Sequence, residues 1–584
     1  MSYLEKLKNT KSIYDFAELL GFKPSALSYL LYKLPNEKKY TEFKVPKKSG
    51  GNRIIKAPDC RLRLVQRKLA DILNSCMQEI EKTYTTTKHP LSHGFRKKIN
   101  FGTEKEHNYL VLGIHTNAKC HRNKRYVFNL DLADFFHSFN FGRVRGFFIK
   151  NNNFLLSPCI ATLIAQIACH ENELPQGSPC SPVITNLITH ILDVRLTQMA
   201  KKYKCSYSRY VDDITLSTNQ KIFPEKLSHN HSKFNEWEVG TEIEEIIKRS
   251  GFKVNPQKTR LQFCTSRQAV TGLVVNKKVN VKNQYYRHTR SMCHALFTHG
   301  TFYLPGKTDT ATIHQLEGIL SYIYFIKEFS RTTEERLNMR SLLENAEKNN
   351  KRVQLDGVSE LYCKFLYFRY FVALEKPLIL CEGKTDIVYL KVAIKQLAKK
   401  NIYKFPHDIN FFSHTDRVSK VMRIYEGTSA LKNFIEFYEK STSFKFQNRQ
   451  YPVIVILDND KEAQGVVHLI KKYKKENVVY ERHDNFSYYV TSNLYVVLLP
   501  TKQNKDNKIE DFFDSSVTDN ILDGGKTFSS DNNKKFDSNK HYSKIVLATK
   551  VICPKQEDID FSKFKEILEL ISKVIICYNN PESS

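Results

Sequence analysis

The sequence has no long apolar run, no paired cysteines and, for its size, few acids. No window approaches the ~18 apolar residues that a membrane-spanning helix requires, so no helical membrane span is predicted. The opening stretch, MSYLEKLKNTKSIYDF, lacks the apolar core of a signal peptide. None of the 13 cysteines falls in a C-x-x-C pair or in finger-like Cys/His spacing. Dispersed through apolar segments, as at Cys381, Cys553 and Cys577, they read as reduced thiols and predict a cytoplasmic protein. There is no internal repeat, and only Asp519–Lys540, rich in Asn, Asp, Ser and Lys, approaches low complexity; it reads as a mobile surface loop.

Acids are scarce where bases are not. Against 91 Lys and Arg stand 61 Asp and Glu, a net charge of +30. The excess is lopsided: the first 370 residues carry 58 bases and 33 acids, the remainder 33 and 28. A polyanionic partner is implied, nucleic acid before membrane, and the first part is the part that holds it. At 584 residues the chain exceeds one hydrophobic core and predicts two or three domains.

Within this basic part, SRYVDDITLS (Ser208–Ser217) sets two adjacent aspartates in a segment whose Tyr210, Val211, Ile214 and Leu216 favour a buried strand. A buried carboxylate without a partner costs several kcal/mol or more, and metal coordination is one way to offset it. NLDLADFF (Asn129–Phe136) follows another strand-like run and offers Asp131 and Asp134. Neighbouring strands carrying Asp131 and Asp212–Asp213 could hold two Mg²⁺ ions about 3.5–4 Å apart, the arrangement of in-line nucleotidyl transfer.

At this point the sequence resembles the bacterial reverse transcriptases, the retron type in particular, over roughly residues 1 to 330. NLDLADFF, LPQGSPCSPVITN (Leu174–Asn186), YVDD (Tyr210–Asp213) and GFKVNPQKTR (Gly251–Arg260) are similar to that family's palm motifs, in its order. Asn117-Ala-Lys-Cys-His121 resembles the retron N-A-x-x-H element, Val270-Thr-Gly272 its V-T-G element, and Tyr40–Pro58 its fingers region. The resemblance implies a right-hand polymerase with Asp131, Asp212 and Asp213 as metal ligands. It places Phe136 where a bulky side chain crowds a 2′-hydroxyl and selects deoxynucleotides. Gln176 would line the nucleotide pocket, and Lys258 would meet the leaving pyrophosphate. The Lys47–Arg53 turn, with Gly50-Gly51, would fold Arg53 over a triphosphate. Residues 276–371 alternate aromatics with Arg and Lys, as in YYRHTR and LYCKFLYFRYF, and suit a thumb and connector gripping a duplex. Most of that aromatic stripe is expected to be core.

From Lys376 the pattern changes. Pro377–Cys381 is an apolar strand running into Glu382-Gly383, and Pro452–Leu457 is another running into Asp458-Asn-Asp460. Near-continuous apolar strands separated by helical stretches predict a parallel sheet covered on both faces, with ligands at the carboxyl ends of its strands. Residues 372–584 resemble the Toprim domain, and the EGKTD form is similar to that of the overcoming-lysogenization-defect nucleases. The resemblance implies Glu382, Asp386, Asp458, Asp460 and Glu510 as ligands of Mg²⁺ or Mn²⁺, and Lys544 as a transition-state cation.

The expected protein is thus a multidomain α+β and α/β chain: fingers and palm over 1–275, thumb and connector over 276–371, Toprim domain over 372–584. The resemblance implies an RNA-directed DNA polymerase that takes dNTPs and copies a cognate structured noncoding RNA into RNA-linked DNA. Its nuclease domain would act on a further nucleic acid in antiphage defence. A group II intron-like enzyme is the alternative, disfavoured by NAKCH, VTG and the absence of a maturase-type C-terminus; a Toprim part that only binds is another. Self-association is left open.

Overall fold

The computed structural model describes residues 1–47, 50–84, 91–100, 109–231, 236–338, 341, 355–413, 415–424, 427–474, 486–501, 506–522, 525–529, 537 and 540–580. Lys48 and Ser49 of the basic turn, and much of the 519–540 segment, lie outside the described residues. No helix among those described is long and apolar enough to cross a membrane.

The chain divides into two compact units, Met1–Asn283 with Ile326–Ser330, and Gln284–Phe325 with Arg331–Ser584. In the first, β1 (Tyr40–Pro46) and β2 (Asn52–Pro58) form an antiparallel hairpin whose turn uses Gly50 and Gly51 at φ of +89° and +75°. Both angles are cheap only for glycine. A 25-residue helix, α1 (Cys60–Tyr84), follows. The central sheet is built from β3 (Tyr126–Ala133), β4 (Ser206–Tyr210), β5 (Asp213–Thr218), β6 (Lys253–Val254) and β7 (Arg260–Phe263). Its order is β6-β3-β5-β4, with β7 also pairing β3, and every pairing is antiparallel.

Side-chain alternation explains why this sheet can carry carboxylates. Phe128, Leu130, Leu132, Ile214 and Leu216 enter one buried core with Ile160, Ile164, Ile184 and Leu192. The intervening Asn129 and Asp131 fall on the other face. There Asn129 Nδ2 donates to Thr215 Oγ1 at 3.0 Å, and Asp131 stands in register with Asp213.

In the second unit, β8 (Leu378–Cys381), β9 (Asn410–Phe411), β10 (Val453–Leu457), β11 (Ser487–Thr491) and β12 (Leu494–Leu498) form a sheet of order β9-β8-β10-β12-β11. All pairs are parallel except β11 with β12. Leu378, Leu380, Val453, Val455 and Leu457 enter a core on one face, and Ile379, Ile454 and Ile456 enter a separate core with Tyr389, Leu390 and Ile571. Burial on both faces is why these strands read as unbroken apolar runs. The first of these cores is shared with Met292, Leu296, Phe302, Leu316 and Leu320 and with the aromatics Tyr362, Phe365, Phe368 and Phe371. Helices expected to form a thumb are thus consolidated with the C-terminal sheet, and most of LYCKFLYFRYF is core.

Candidate active sites

The hairpin β4–β5 turns through Val211 and Asp212, with Tyr210 paired to Asp213. It thereby hands two carboxylates to the polar face of β3. Asp131 is 4 % exposed, and the ammonium of Lys258, on the 3₁₀ turn Pro256–Lys258, donates to both its oxygens at 3.0 and 2.9 Å. Burial, then the charge of Asp131, raises the Asp212 carboxyl above the usual range. Burial, then the charges of Asp212 and Asp131, pushes Asp213 up to about 7. Burial pulls Lys258 down, but the hydrogen bond and charge of Asp131, with Asp212 and Asp213, outweigh it and leave the lysine raised. Arg53 on β2 is near enough that its charge favours ionised Asp212. The structure therefore brings together Asp131, Asp212, Asp213, Lys258 and Arg53. Asp134 is exposed at φ +45°, and its carbonyl accepts from Ser138 N at 3.1 Å and Oγ at 3.2 Å.

Gln176 is placed by its backbone: its carbonyl accepts from Lys56 N on β2 at 2.8 Å. Gly177 permits this contact, since a Cβ there would lie 2.6 Å from the Lys56 carbonyl oxygen. The Gln-Gly turn is thus sewn to the β1–β2 hairpin. Phe136 opens a 3₁₀ turn after β3, partly exposed, its ring 5.6 Å from Phe135 and 6.4 Å from Phe95.

The N-A-x-x-H and V-T-G elements turn out to be neighbours. Helix α2 (Ile114–Lys119) carries Asn117, and His121 follows it. The His121 ring meets Ser217 Oγ through Nδ1 and Ser208 Oγ through Nε2, both at 2.7 Å, and Ser208 Oγ donates to Asn117 Oδ1 at 2.6 Å. One motif thus ties a helix to both strands of the aspartate hairpin. Val270-Thr-Gly-Leu273 is a two-residue β-turn with both central φ angles positive, +46° at Thr271 and +84° at Gly272, and Thr271 Oγ1 donates to the Ile114 carbonyl of α2 at 3.1 Å.

Burial, then the charges of His93 and Lys124, lowers His121 to about 3. The folded state therefore refuses a proton that the unfolded chain accepts below about pH 6.5. Stability is fully present above that pH and falls by about 1.4 kcal/mol per unit as pH drops toward the folded value. In urea titrations from pH 7 to 5, His121→Gln is expected to show a shallower loss than wild type; equal slopes would remove His121 as the cause.

A sequence reading centred on acids missed the support beneath the hairpin. Arg209 is fully buried; Nε and Nη2 donate to Asp193 at 2.7 and 2.8 Å, and Nη1 donates to the Val211 carbonyl at 2.9 Å. Tyr207 Oη also donates to Asp193, at 2.6 Å. Removing one partner of such a buried pair costs about 3–5 kcal/mol. The available signal was an arginine inside a segment that reads as a buried strand.

In the second unit, acids gather beyond the carboxyl ends of β8 and β10. Glu382 Oε1 accepts from Thr428 Oγ1 at 2.9 Å, while its Oε2 is buried without a partner. Asp386, 6 % exposed, accepts from Gly383 N at 2.8 Å, capping helix α3 (Lys384–Lys399). Burial chiefly raises Asp386, to about 7, with Glu510 and Glu382 adding to it. Burial chiefly raises Asp458, to about 8, with the charges of Glu382, Asp386 and Glu510 adding to it. Glu510 is 3 % exposed; one oxygen accepts from Lys544 Nζ at 2.9 Å and the other is buried without a partner. Glu382, Asp386, Asp458, Glu510 and Lys544 thus share one electrostatic neighbourhood. Asp460 is used differently: it accepts from Glu462 N at 2.9 Å and Ala463 N at 3.1 Å, capping the helix Lys461–Lys474.

Among the described residues no three His, Cys, Asp or Glu side chains already stand as a metal-binding group. In both sites the carboxylates feel one another's charge without converging, and a lysine neutralises one of them. Each set nevertheless fits a divalent cation. The first has a deeply buried aspartate beside two carboxyls that burial and the charge of Asp131 disfavour as anions. The second has two carboxylate oxygens buried without partners, which are costly unless a cation or water satisfies them.

Residues 45–288 match the reverse transcriptase (RNA-dependent DNA polymerase) family, whose chemistry depends on divalent metal. The chain is 28 % identical over 328 residues to the retron Mx65 reverse transcriptase of Myxococcus xanthus, covering 53 % of this chain and 67 % of that one. To the retron Mx162 reverse transcriptase of the same organism it is 28 % identical, covering 53 % and 62 %. To the retron Ec86 reverse transcriptase of Escherichia coli it is 27 % identical, covering 53 % and 83 %. The chain thus spans about two thirds of the length of the first two relatives. Residues 45–288 form a reverse transcriptase domain, and the relatives it matches are of the retron type.

Proposed function

We propose that this chain is an RNA-directed DNA polymerase that copies a cognate structured RNA into DNA with dNTPs and Mg²⁺, and that its C-terminal unit is a metal-dependent Toprim nuclease acting in antiphage defence in the cytoplasm. The placing of Asp131, Asp212 and Asp213 in one electrostatic neighbourhood, with Lys258 and Arg53 beside them, carries the polymerase reading. Bound metal would activate a 3′-hydroxyl and stabilise the leaving pyrophosphate. The chain's own part is to hold the carboxylates buried and to present cations to the triphosphate. The sewn Gln176–Lys56 contact fixes the nucleotide pocket against the fingers hairpin. Incubating the purified protein with a primed RNA template, dNTPs and Mg²⁺ tests it: complementary DNA should appear, and its absence at all divalent concentrations overturns the reading.

The partnerless oxygens of Glu382 and Glu510 support the nuclease reading, since a parallel sheet ending in buried acids is suited to hold a metal and a phosphodiester. One observation favours a non-catalytic module instead, the neutralisation of Glu510 by Lys544. Incubation with single-stranded and duplex RNA and DNA in Mg²⁺ or Mn²⁺ separates the two.

Phe136 makes a sharper test of the polymerase site. Its partly exposed ring beyond Asp131 is suited to crowd a 2′-hydroxyl, and removing such a steric contact is worth about tenfold or more. Phe136→Ala is expected to lower the preference for dNTP over rNTP by at least that factor in single-nucleotide extension. Unchanged discrimination would return the side chain to packing alone.

A further inference from the structure

We propose that Arg209 is a positioning residue for the catalytic turn: its guanidinium holds Val211 in a backbone conformation that valine avoids, and so fixes where Asp212 and Asp213 stand. The inference rests on the polymerase reading for its functional consequence and on geometry for its substance. Val211 has a φ of +61°, and it is the first residue of a two-residue hairpin connection, a place where glycine is the usual occupant. A β-branched residue in that region is a backbone outlier and persists only where its surroundings over-determine it.

The surroundings here close from two sides. From beneath, Arg209 Nη1 donates to the Val211 carbonyl at 2.9 Å. The other edge of the guanidinium is locked on Asp193, so the fork cannot swing away. The backbone of Arg209 is itself pinned: its N–H donates to the Leu91 carbonyl at 3.0 Å, and its carbonyl accepts from His93 N at 2.8 Å. From above, the same segment brings Gly94 onto the turn, where a Cβ would lie 2.7 Å from Val211 Cγ2 and 2.9 Å from Val211 N. The Gly94 carbonyl is held by Asn186 Nδ2 at 2.9 Å, and Asn186 Oδ1 in turn accepts from Ser92 Oγ at 2.9 Å. A buried ion pair serving stability alone would need only the Asp193 edge. The third donor is aimed at the one strained residue between the two strands.

Arg209→Lys separates these roles, because a lysine can pair with Asp193 but cannot also reach the Val211 carbonyl in the same fork. The full-length protein extends a primed RNA template, and kcat and KM for dNTP are measured in wild type, Arg209→Lys, Val211→Gly and the double variant. Arg209→Lys is expected to lose at least tenfold in kcat with KM for dNTP changed less than threefold. In the Val211→Gly background, where the turn carries no strain, the same substitution should cost less than threefold. If Arg209→Lys does not fold, Arg209→Met with Asp193→Leu and Tyr207→Phe, which removes Asp193 together with both side chains that donate to it, takes its place in the same cycle. Amide exchange at Tyr210–Asp213 is followed in parallel and should quicken on loss of the Arg209 bond, whatever the activity. A tenfold loss that persists with Val211→Gly, or unchanged kcat together with unchanged exchange, overturns the proposal. A wild type that makes no DNA while exchange responds as expected overturns the polymerase reading alone.

Discussion

Asp212→Asn with Asp213→Asn is expected to abolish DNA synthesis, lowering the rate by at least about 10³-fold, equivalent to roughly 4 kcal/mol of lost transition-state stabilisation, and to leave the fold intact. Amides match carboxylates in shape but are poor ligands for a hard divalent cation. The structure adds a second, less obvious expectation. Burial and the charge of Asp131 raise both carboxyls, and the charge of Asp212 raises Asp213 further, so in divalent-free buffer the native state carries unrelieved repulsion there. Lys258 remains paired with Asp131 in the variant. Its thermal midpoint in EDTA should therefore be no lower than that of wild type, while added Mg²⁺ should stabilise wild type and not the variant. A variant that still extends a primed template sinks the metal assignment. One that is inactive but unfolded in EDTA shows that the pair serves the fold.

Much of this site was legible because its physics is local. Two acids in an apolar strand need a compensating cation, and the period of two in Phe128-Asn-Leu-Asp-Leu132 already places Asp131 opposite the core. The parallel C-terminal sheet was legible for the same reason, from unbroken runs such as Val453–Leu457. What was not legible depends on tertiary reach. Asp460 follows Asp458 by two residues, yet the start of a helix claims it as a cap, as Ser, Thr, Asp and Asn commonly are claimed. The boundary expected near residue 371 reflects a change of pattern along the chain. The packing instead groups Met292, Leu296 and Phe302 with Val453 and Val455, because amphipathic helices bury their apolar stripe against whatever surface the fold supplies. The strain at Val211 has no local sequence signature, and only distances reveal its pairing with the arginine beneath it.

Glu382→Gln, alone or with Asp458→Asn, is expected to eliminate nuclease action and any cell toxicity while leaving DNA synthesis within twofold of wild type. The conservative changes matter. Glu382 already accepts from Thr428 through one oxygen, so an amide keeps that bond and removes only the charge. Glu382 and Asp458 lie past the ends of their strands, outside the two cores that cover the sheet. Because the core on one face is common to the helices of 284–325, a substitution that loosened it would unsettle the whole second unit and test nothing about the carboxylates. Changes confined to the carboxylates avoid this, and sites without shared partners add to within about 0.5 kcal/mol. Three measurements decide the matter: the thermal midpoint, primed-template extension, and cleavage of labelled RNA and DNA in Mg²⁺ and Mn²⁺. Cleavage that survives Glu382→Gln with Asp458→Asn would move the nuclease, if one is present, away from these acids. Loss of DNA synthesis in a stably folded Glu382→Gln variant would mean that the two sites act as one coupled machine.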